Sequence, residues 1–359
     1  MRRKILIICI FGFVLLGGLL TYFLWLQPKL NAPLSPPLQI PRPQSTVIPK
    51  AEIQENGTVK KPTPTATADT RISMEVPQTE DVDPPVCGDQ REILVLLVGM
   101  DYRGEGYLYG LADVIRIVRV DFTIPRVNIV ALPRAMLVEV PEDRLSVEDP
   151  ILLNQAYLFG SPGMQHYLGS ADGAGALAET IQYNFGITVD HYLVLNFKAF
   201  VEFVDALGGI EVDLPQYVDD RPDSYFPAGK QTLSGEEALD LARVRRKYSD
   251  LKRIDYQTIV MKAIFQRMKE PEIITKLPKL IAAFEGSVLT DVSPKQIQQA
   301  LCLLGYIKME DLFFYSPEDD IVKSGWVYIP TMNQLMDIYH WDETFIKWLT
   351  DSLWEKPAS

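Results

Sequence analysis

"EILVLLVGMD", residues Glu92–Asp101, decides the fold. Ile93 to Val98 are apolar without interruption, and the run closes on Gly99 and Asp101. A strand with one wet face would alternate; this one does not, so it reads as a central strand buried on both sides. Working outward, "DVIRIVRVDF" (113–122) and "RVNIVALP" (126–133) follow, joined by the turn "TIP", and read as a strand pair beside it. "LLNQAYLFG" (152–160) is a short helix, and "GAGALAETIQYNFG" (173–186) a helix closed by Gly186. "DHYLVLNF" (190–197) is a strand, "FKAFVEFVDALGG" (197–209) a helix ending in glycines, and "IEVDLP" (210–215) a strand. Strands alternating with helices place the chain in the α/β class.

"LSGEEALDLARVR" opens with a capping box, in which Ser234 caps and Glu237 reaches back. A second helix is expected from about Asp250 to Lys269, with Leu251, Ile254, Met261, Ile264 and Met268 facing the core. The tail, 271–359, reads as two or three helices plus strands near 309–315 and 326–329. It carries Trp326, Trp341, Trp348 and Trp354, expected to pack in the core, with sugar stacking as the alternative. There is no internal repeat, P-loop, Rossmann glycine triplet or G-x-S-x-G, and the three histidines do not sit at metal-ligand spacing.

The ends of the chain say where it lives. Residues 5–26 carry no charge; at ~1.5 Å per residue they span about 33 Å, enough for a hydrocarbon layer. Tyr22 and Trp25 suit an interfacial belt, and Arg2, Arg3 and Lys4 argue for a cytoplasmic N-terminus at 1–4. The run exceeds a signal-peptide core and no A-x-A-like site follows, so an uncleaved single-pass anchor in the cell membrane is expected, with everything after it extracytoplasmic. Residues 27–86 hold twelve of the 26 prolines. That composition builds no core, so 27–90 is expected to be a disordered, extended linker. The "NGT" at 56–58 fits a glycosylation sequon. Outside the cytoplasm Cys87 and Cys302 are either a disulfide or two buried thiols. A net charge of −12 argues against nucleic acid as a partner.

Within this acidic chain "LARVRRKYSDLKR" (241–253) concentrates Arg243, Arg245, Arg246, Lys247, Lys252 and Arg253 around Asp250. As one helix, it would bring Arg243, Arg246, Asp250, Arg253 and Gln257 within about an 80° arc. The alternative, favoured by "YSD", breaks the chain near Lys247–Ser249, with Ser249 or Asp250 capping the next helix. An extended 243–245 would then put Arg243 and Arg245 on one side. Either way guanidiniums converge with a carboxylate, the chemistry that binds phosphate oxygens. Other charged residues sit just past or before expected strands: Asp101 and Arg103 in "VGMDYR", Asp113 in "GLADVI", Arg134 in "LPRAML". In open α/β sheets ligands gather at strand ends. Two aspartates with several arginines suit a divalent cation and a phosphate ester.

Six segments, in order over roughly 92–268, carry a resemblance: "ILVLLVGMDYR", "LADVIRIVRVD", "RVNIVALPR", "LLNQAY", "TVDHYLVLNFKAFVEFVDALGGIEVDLP" and "AGKQTLSGEEALDLARVRRKYSDLKRIDYQ". The chain resembles the LytR-CpsA-Psr family of membrane-anchored cell-envelope phosphotransferases. The resemblance implies an α-β-α domain with a mixed central sheet at 91–270, and leaves 271–359 as an extension packed on it. It implies transfer of a phosphoglycopolymer, wall teichoic acid or a capsular glycan, from a polyprenyl-pyrophosphate carrier to peptidoglycan, with Mg²⁺ bridging the pyrophosphate. Asp101 and Asp113 match the metal-binding acids and Arg134 the arginine of the P-R-D motif. Arg243, Arg245, Asp250 and Arg253 match the R-x-R and D-x-x-R positions, and Asn154 the asparagine of N-x-A-Y. Arg103, Arg246 and Gln257 are further substrate-binding candidates.

Three positions depart from the family pattern. Leu111 and Tyr256 stand where it has arginines, and Ala135 where it has an aspartate. Arg103, Arg116, Arg246 and Lys252 are the cations available to compensate. The rival functions are a non-catalytic receptor for an anionic glycolipid or glycan, and a phosphohydrolase in which water replaces the acceptor.

Overall fold

The structure, a computed structural model, describes residues 32–40, 84–102, 107, 109–220, 224–244, 246–277, 280, 284 and 288–354. The expected anchor at 5–26, and positions Arg103 and Arg245, lie outside them. Among the described residues no helix is long and apolar enough to cross a membrane.

The strands, in chain order, are β1 (Glu92–Met100), β2 (Ala112–Asp121), β3 (Arg126–Ala131), β4 (Leu137–Val138), β5 (Ile151–Leu152), β6 (His191–Asn196), β7 (Ile210–Leu214), β8 (Val218–Asp219), β9 (Tyr225–Phe226), β10 (Gly229–Leu233), β11 (Leu289–Thr290), β12 (Leu312–Tyr315), β13 (Lys323–Ile329) and β14 (Gln334–His340). The helices are α1 (Leu153–Gly160), α2 (Asp172–Phe185), α3 (Phe197–Ala206), α4 (Gly235–Ala242), α5 (Asp250–Met268), α6 (Pro271–Ile274), α7 (Pro294–Tyr306) and α8 (Glu343–Trp354).

The central sheet runs β11-β6-β1-β2-β3-β12. β6 is parallel to β1, β12 is parallel to β3, and β2 lies antiparallel between β1 and β3, so the sheet is mixed. β1 is covered on both faces, as its unbroken apolar run requires. Leu94, Leu96, Val98 and Met100 pack with α1, α2 and α8. Ile93 and Val95 pack toward α5 and α7. The result is an α-β-α sandwich. α1 and α2 meet closely because both carry glycines at the contact: a Cβ on Gly160 would lie 2.2 Å from that of Ala176, and one on Gly173 2.6 Å from the Tyr157 carbonyl oxygen. Asn128, wholly buried in β3, donates to the Ser352 and Leu353 carbonyls at 3.0 and 2.9 Å. It thereby satisfies acceptors that the end of α8 leaves open.

Three expectations change. The tail is part of the domain rather than an extension: β11 and β12 are the two edge strands of the central sheet. The stretch 27–90 is not linker throughout. Leu38 and Ile40 pack on the main core, and the Pro36 and Pro37 carbonyls accept from the Tyr192 hydroxyl and Ser170 Oγ, both at 3.0 Å. Cys87 is buried against α7 and bonded to Cys302, with Cα atoms 6.0 Å apart, so the domain begins before residue 90. Finally, the buried stripe of α5 is Arg253, Ile254, Tyr256, Gln257, Val260 and Ala263. Of the five apolar residues expected to face the core, Ile254 is fully buried and Leu251, Met261, Ile264 and Met268 pack half-buried on it; what changes is that Arg253 and Gln257 join the buried stripe.

Candidate active site at one edge of the sheet

The chain breaks where "YSD" indicates. α4 ends at Ala242 and α5 starts at Asp250, capped by Ser249 Oγ, which accepts from the Lys252 amide at 3.2 Å. Arg243 is the C-cap of α4 at φ −108° and ψ 2°, so it is not extended. Its guanidinium lies 4.6 Å from the ring centroid of Phe197, the first residue after β6.

β1, β6 and β3 all finish at the same edge, and β2 begins there. Asp101 therefore leaves β1, exposed, beside the start of β2; its amide donates to the Leu111 carbonyl at 2.9 Å. Asp113 reaches the site through a β-bulge. Gly99 pairs with Val114 but Met100 pairs with Ala112, so Asp113 is the extra residue. Ala112, Ile115 and Ile117 face α1 and α2, while Val118 faces α5. Strict alternation back from Ile115 would put Asp113 on the α2 face. The bulge moves it to the α5 face, a use to which bulges are often put beside active sites.

There it meets Arg134, carried on the turn after β3. Arg134 Nη1 donates to Asp113 Oδ1 at 2.5 Å and Nε to Asp250 Oδ2 at 3.2 Å. Asp250 Oδ1 takes Arg253 Nη2 at 3.1 Å. Four sequence candidates thus form one chain of alternating charge, Asp113–Arg134–Asp250–Arg253. Burial works against the Arg134 cation, but the two carboxylates outweigh it and hold its pKa above the ordinary value. Arg134 Nη2 bonds no described residue, so one edge of a fixed guanidinium is left for a ligand oxygen. The Asn154 amide donates to the Arg134 carbonyl at 3.0 Å and anchors the turn. Asn154 Oδ1 is buried without a partner.

The remaining candidates lie around this chain. Arg246 is exposed, its amide on Asp220 Oδ1 at 2.8 Å. Gln257 is buried; its Nε2 donates to the Ala242 carbonyl at 3.3 Å and its Oε1 accepts from Arg116 Nη2 at 3.4 Å. Arg116 is the residue whose weight the sequence understates. It is 1% exposed, and its only signal is one charge inside an apolar strand. Tyr256, where the family pattern has an arginine, is 2% exposed and stacks edge-on against Tyr248. Among the described residues no group of three or more His, Cys, Asp or Glu side chains is placed to hold a metal. Two carboxylates from adjacent strands, with Asp113 Oδ2 uncommitted, nonetheless suit Mg²⁺, which keeps waters and shares substrate phosphates.

The LytR_cpsA_psr family model matches residues 55–336. The chain belongs to the LytR_cpsA_psr family. Among relatives, it is 28% identical over 207 residues to the Bacillus subtilis (strain 168) polyisoprenyl-teichoic acid–peptidoglycan teichoic acid transferase TagV, covering 55% of this chain and 49% of that one. The chain thus spans about half the length of that relative. It is 26% identical over 238 residues to the transferase TagU of Oceanobacillus iheyensis, covering 64% of this chain and 70% of TagU. The crystal structure of B. subtilis TagV superposes with a TM-score of 0.58 at 24% identity, over 75% of this chain and all of that one, which establishes a common α/β fold. TagV and TagU are named as polyisoprenyl-teichoic acid–peptidoglycan teichoic acid transferases.

Proposed function

We propose that this LytR_cpsA_psr protein is a membrane-anchored, extracytoplasmic phosphotransferase. It moves a phosphoglycopolymer, of the wall teichoic acid or capsular kind, from a polyprenyl-pyrophosphate carrier to peptidoglycan. The observation that carries the reading is the Asp113–Arg134–Asp250–Arg253 chain at the sheet edge: fixed guanidiniums, held by carboxylates, where a pyrophosphate would lie. The apolar run at 5–26 and its basic flank support the anchor.

In this mechanism Arg134, Arg243 and Arg253, with Arg245 of the same motif, bind the pyrophosphate and stabilise charge as it develops. An acceptor sugar hydroxyl attacks the phosphorus next to the glycan. The P–O bond to the carrier phosphate breaks, and polyprenyl phosphate leaves. Asp101, the exposed carboxylate of the edge, takes the hydroxyl proton. Asp250 does not touch substrate; it positions Arg134 and Arg253. Asp101 and Asp113 would hold Mg²⁺, which when bound neutralises pyrophosphate charge.

A second reading has a specific observation behind it. Leu111 and Ala135 leave the edge with fewer charges than the family pattern, and Ala135 instead gives its carbonyl to the Tyr339 amide at 2.9 Å. That favours a receptor that binds glycolipid without turnover. The test is to incubate the protein with a synthetic polyprenyl-pyrophosphate glycan, peptidoglycan fragments and Mg²⁺, and to follow products by mass spectrometry. A glycan-phosphate-peptidoglycan adduct, lost with EDTA and in Asp113→Ala, is the expected result. Glycan phosphate released into water would mean a hydrolase, and binding without product a receptor.

A further inference from the structure

The β13–β14 hairpin has two unlike faces. Val327, Ile329, Met336 and Ile338 turn inward onto Leu137 and Leu152. The other face holds Trp326 at 71% exposure, Tyr328 at 50% and Leu335 at 62%. The register sets Trp326 opposite Asp337 and Tyr328 opposite Leu335. The Tyr328 hydroxyl donates to Asn333 Oδ1 at 2.6 Å. The expectation that all four tail tryptophans pack inside therefore fails at Trp326, since a period of two puts every other residue of β13 outward, and also at Trp354, exposed at the end of α8. Trp341 and Trp348 do pack on the core. Two aromatic rings and a leucine are thus grouped, exposed, on one ladder face.

That face is continuous with the candidate active site. Leu335 and Asp337 share it by alternation along β14, and Tyr339, at the end of the strand toward the site, packs on the main core. The Tyr339 amide donates to the carbonyl of Ala135, the residue after Arg134. Burial first, and then the Asp250 carboxylate, push its phenol up to about 12, so the hydroxyl end of Tyr339 lies in the field of the charged chain. At ~3.4 Å per residue, Asp337 and Leu335 stand about 7 and 14 Å from Tyr339 along the strand. The face is thus a track leading to the site.

We infer that the outer face of β13–β14 is a saccharide platform that guides the acceptor glycan strand to the sheet edge. The assignment rests on the transferase reading for its direction. Its chemistry rests on the face itself. The flat rings of Trp326 and Tyr328 present electron-rich surfaces that match the C–H side of a pyranose, while Asp337 and Asn333 supply acceptors for hydroxyls at its rim. Charge decides against an anionic lipid surface or a nucleic acid. Asp337 and the exposed Glu318, Asp319 and Asp320 nearby in the chain face Lys323 as the hairpin's one lysine or arginine. Such a surface repels polyanions and leaves a neutral, polyhydroxylated chain unaffected.

The test uses the full-length protein in mild detergent and two ligands. A β-1,4-linked N-acetylglucosamine tetrasaccharide probes the platform by calorimetry, and farnesyl pyrophosphate probes the donor site. Trp326→Ala/Tyr328→Ala is expected to weaken tetrasaccharide binding at least tenfold and to leave farnesyl pyrophosphate binding unchanged. Trp326→Phe keeps most of the glycan affinity, which a merely structural role would not require. Equal glycan affinity in the double variant overturns the platform. So does a double variant that keeps the glycan but loses co-sedimentation with phosphatidylglycerol–phosphatidylcholine vesicles, which would make the hairpin a membrane contact. Wild-type protein that binds the tetrasaccharide but not farnesyl pyrophosphate supports the platform and removes the transferase reading. The converse removes the platform alone.

Discussion

Replacing Arg116 with methionine should make this protein more stable. Arg116 sits in β2 between Ile115 and Ile117 with 1% of its surface exposed. Its Nη2 donates to the Ile254 carbonyl at 3.2 Å, to Gln257 Oε1 at 3.4 Å and to Thr258 Oγ1 at 3.5 Å, while Nη1 has no partner. Burial pushes the guanidinium down to about 10, and only Asp255, acting at longer range, opposes it. Against an ordinary arginine that drop is a penalty of about 3 kcal/mol on the charged form. The depressed folded value would return stability only as pH rises past about 10; at lower pH the cation is present folded and unfolded, and the penalty is constant. Methionine is shorter, but its flexible thioether fills most of the space without charge. It leaves Gln257 Oε1 without its donor, a loss of about 1–2 kcal/mol. The Thr258 hydroxyl still donates to the Ile254 carbonyl at 2.9 Å. The net is a stabilisation of about 1–2 kcal/mol. Urea denaturation at pH 7 reads it as a higher midpoint at unchanged slope. Arg116→Met/Gln257→Leu removes both halves but also takes the Nε2 donor from the Ala242 carbonyl, so it should gain no more than the single variant. A single variant that unfolds more than about 1 kcal/mol more easily would refute the reasoning, and would mean that the guanidinium is better compensated than its contacts indicate. The stabilised variant is also expected to transfer glycan more slowly, because Gln257 loses the group that orients it.

Other substitutions test other contacts. Arg134→Ala should slow transfer about 10²–10³-fold and lower the melting temperature as well, because Asp113 and Asp250 lose their shared cation. Glu179, 4% exposed, is held by Arg144 at 3.0 and 2.8 Å and by the Tyr167 hydroxyl at 2.7 Å. Arg144→Leu should therefore cost about 3–5 kcal/mol at neutral pH, read by urea denaturation, and Arg144→Leu/Glu179→Leu should recover most of it. The Cys87–Cys302 disulfide spans 215 residues of sequence, and closing so long a loop contributes at most about 5 kcal/mol. Chemical denaturation of Cys302→Ser, or of the reduced protein, should show a loss of that order. Burial holds His340 below its ordinary value of 6.5, so its contribution is intact above that pH and lost as pH falls through the folded value. His340→Phe should flatten the acid limb of a melting-temperature profile.

Local signals in the sequence determined a good deal. The unbroken apolar run at Ile93–Val98 required a strand covered on both faces, and α-β-α layering follows from that requirement. The "YSD" punctuation placed the helix break, because Ser249 has a hydroxyl to offer an unsatisfied helical amide and little reason to sit inside a helix. Asp101, Asp113 and Arg134 were legible as strand-end residues because the apolar runs beside them mark where the strands stop. What the sequence left open were questions about partners distant along the chain. Whether Asp113 faces α2 or α5 depends on one extra residue opposite Gly99 and Met100, and periodicity read along a single strand cannot register a bulge against its neighbour. Arg134 finds Asp250 across 116 positions, and Arg116 finds Gln257 across 141. The tail's role was likewise decided in three dimensions. β11 is too short to be recognised from its own residues, and β12, expected near 309–315, could not be assigned to the central sheet; both join it because β6 and β3 present free edges to pair with. The same holds for the tryptophans. Composition treats all of them as core, and only the pairing of β13 with β14 over Leu137 and Leu152 turns Trp326 out to solvent while Trp341 and Trp348 stay inside.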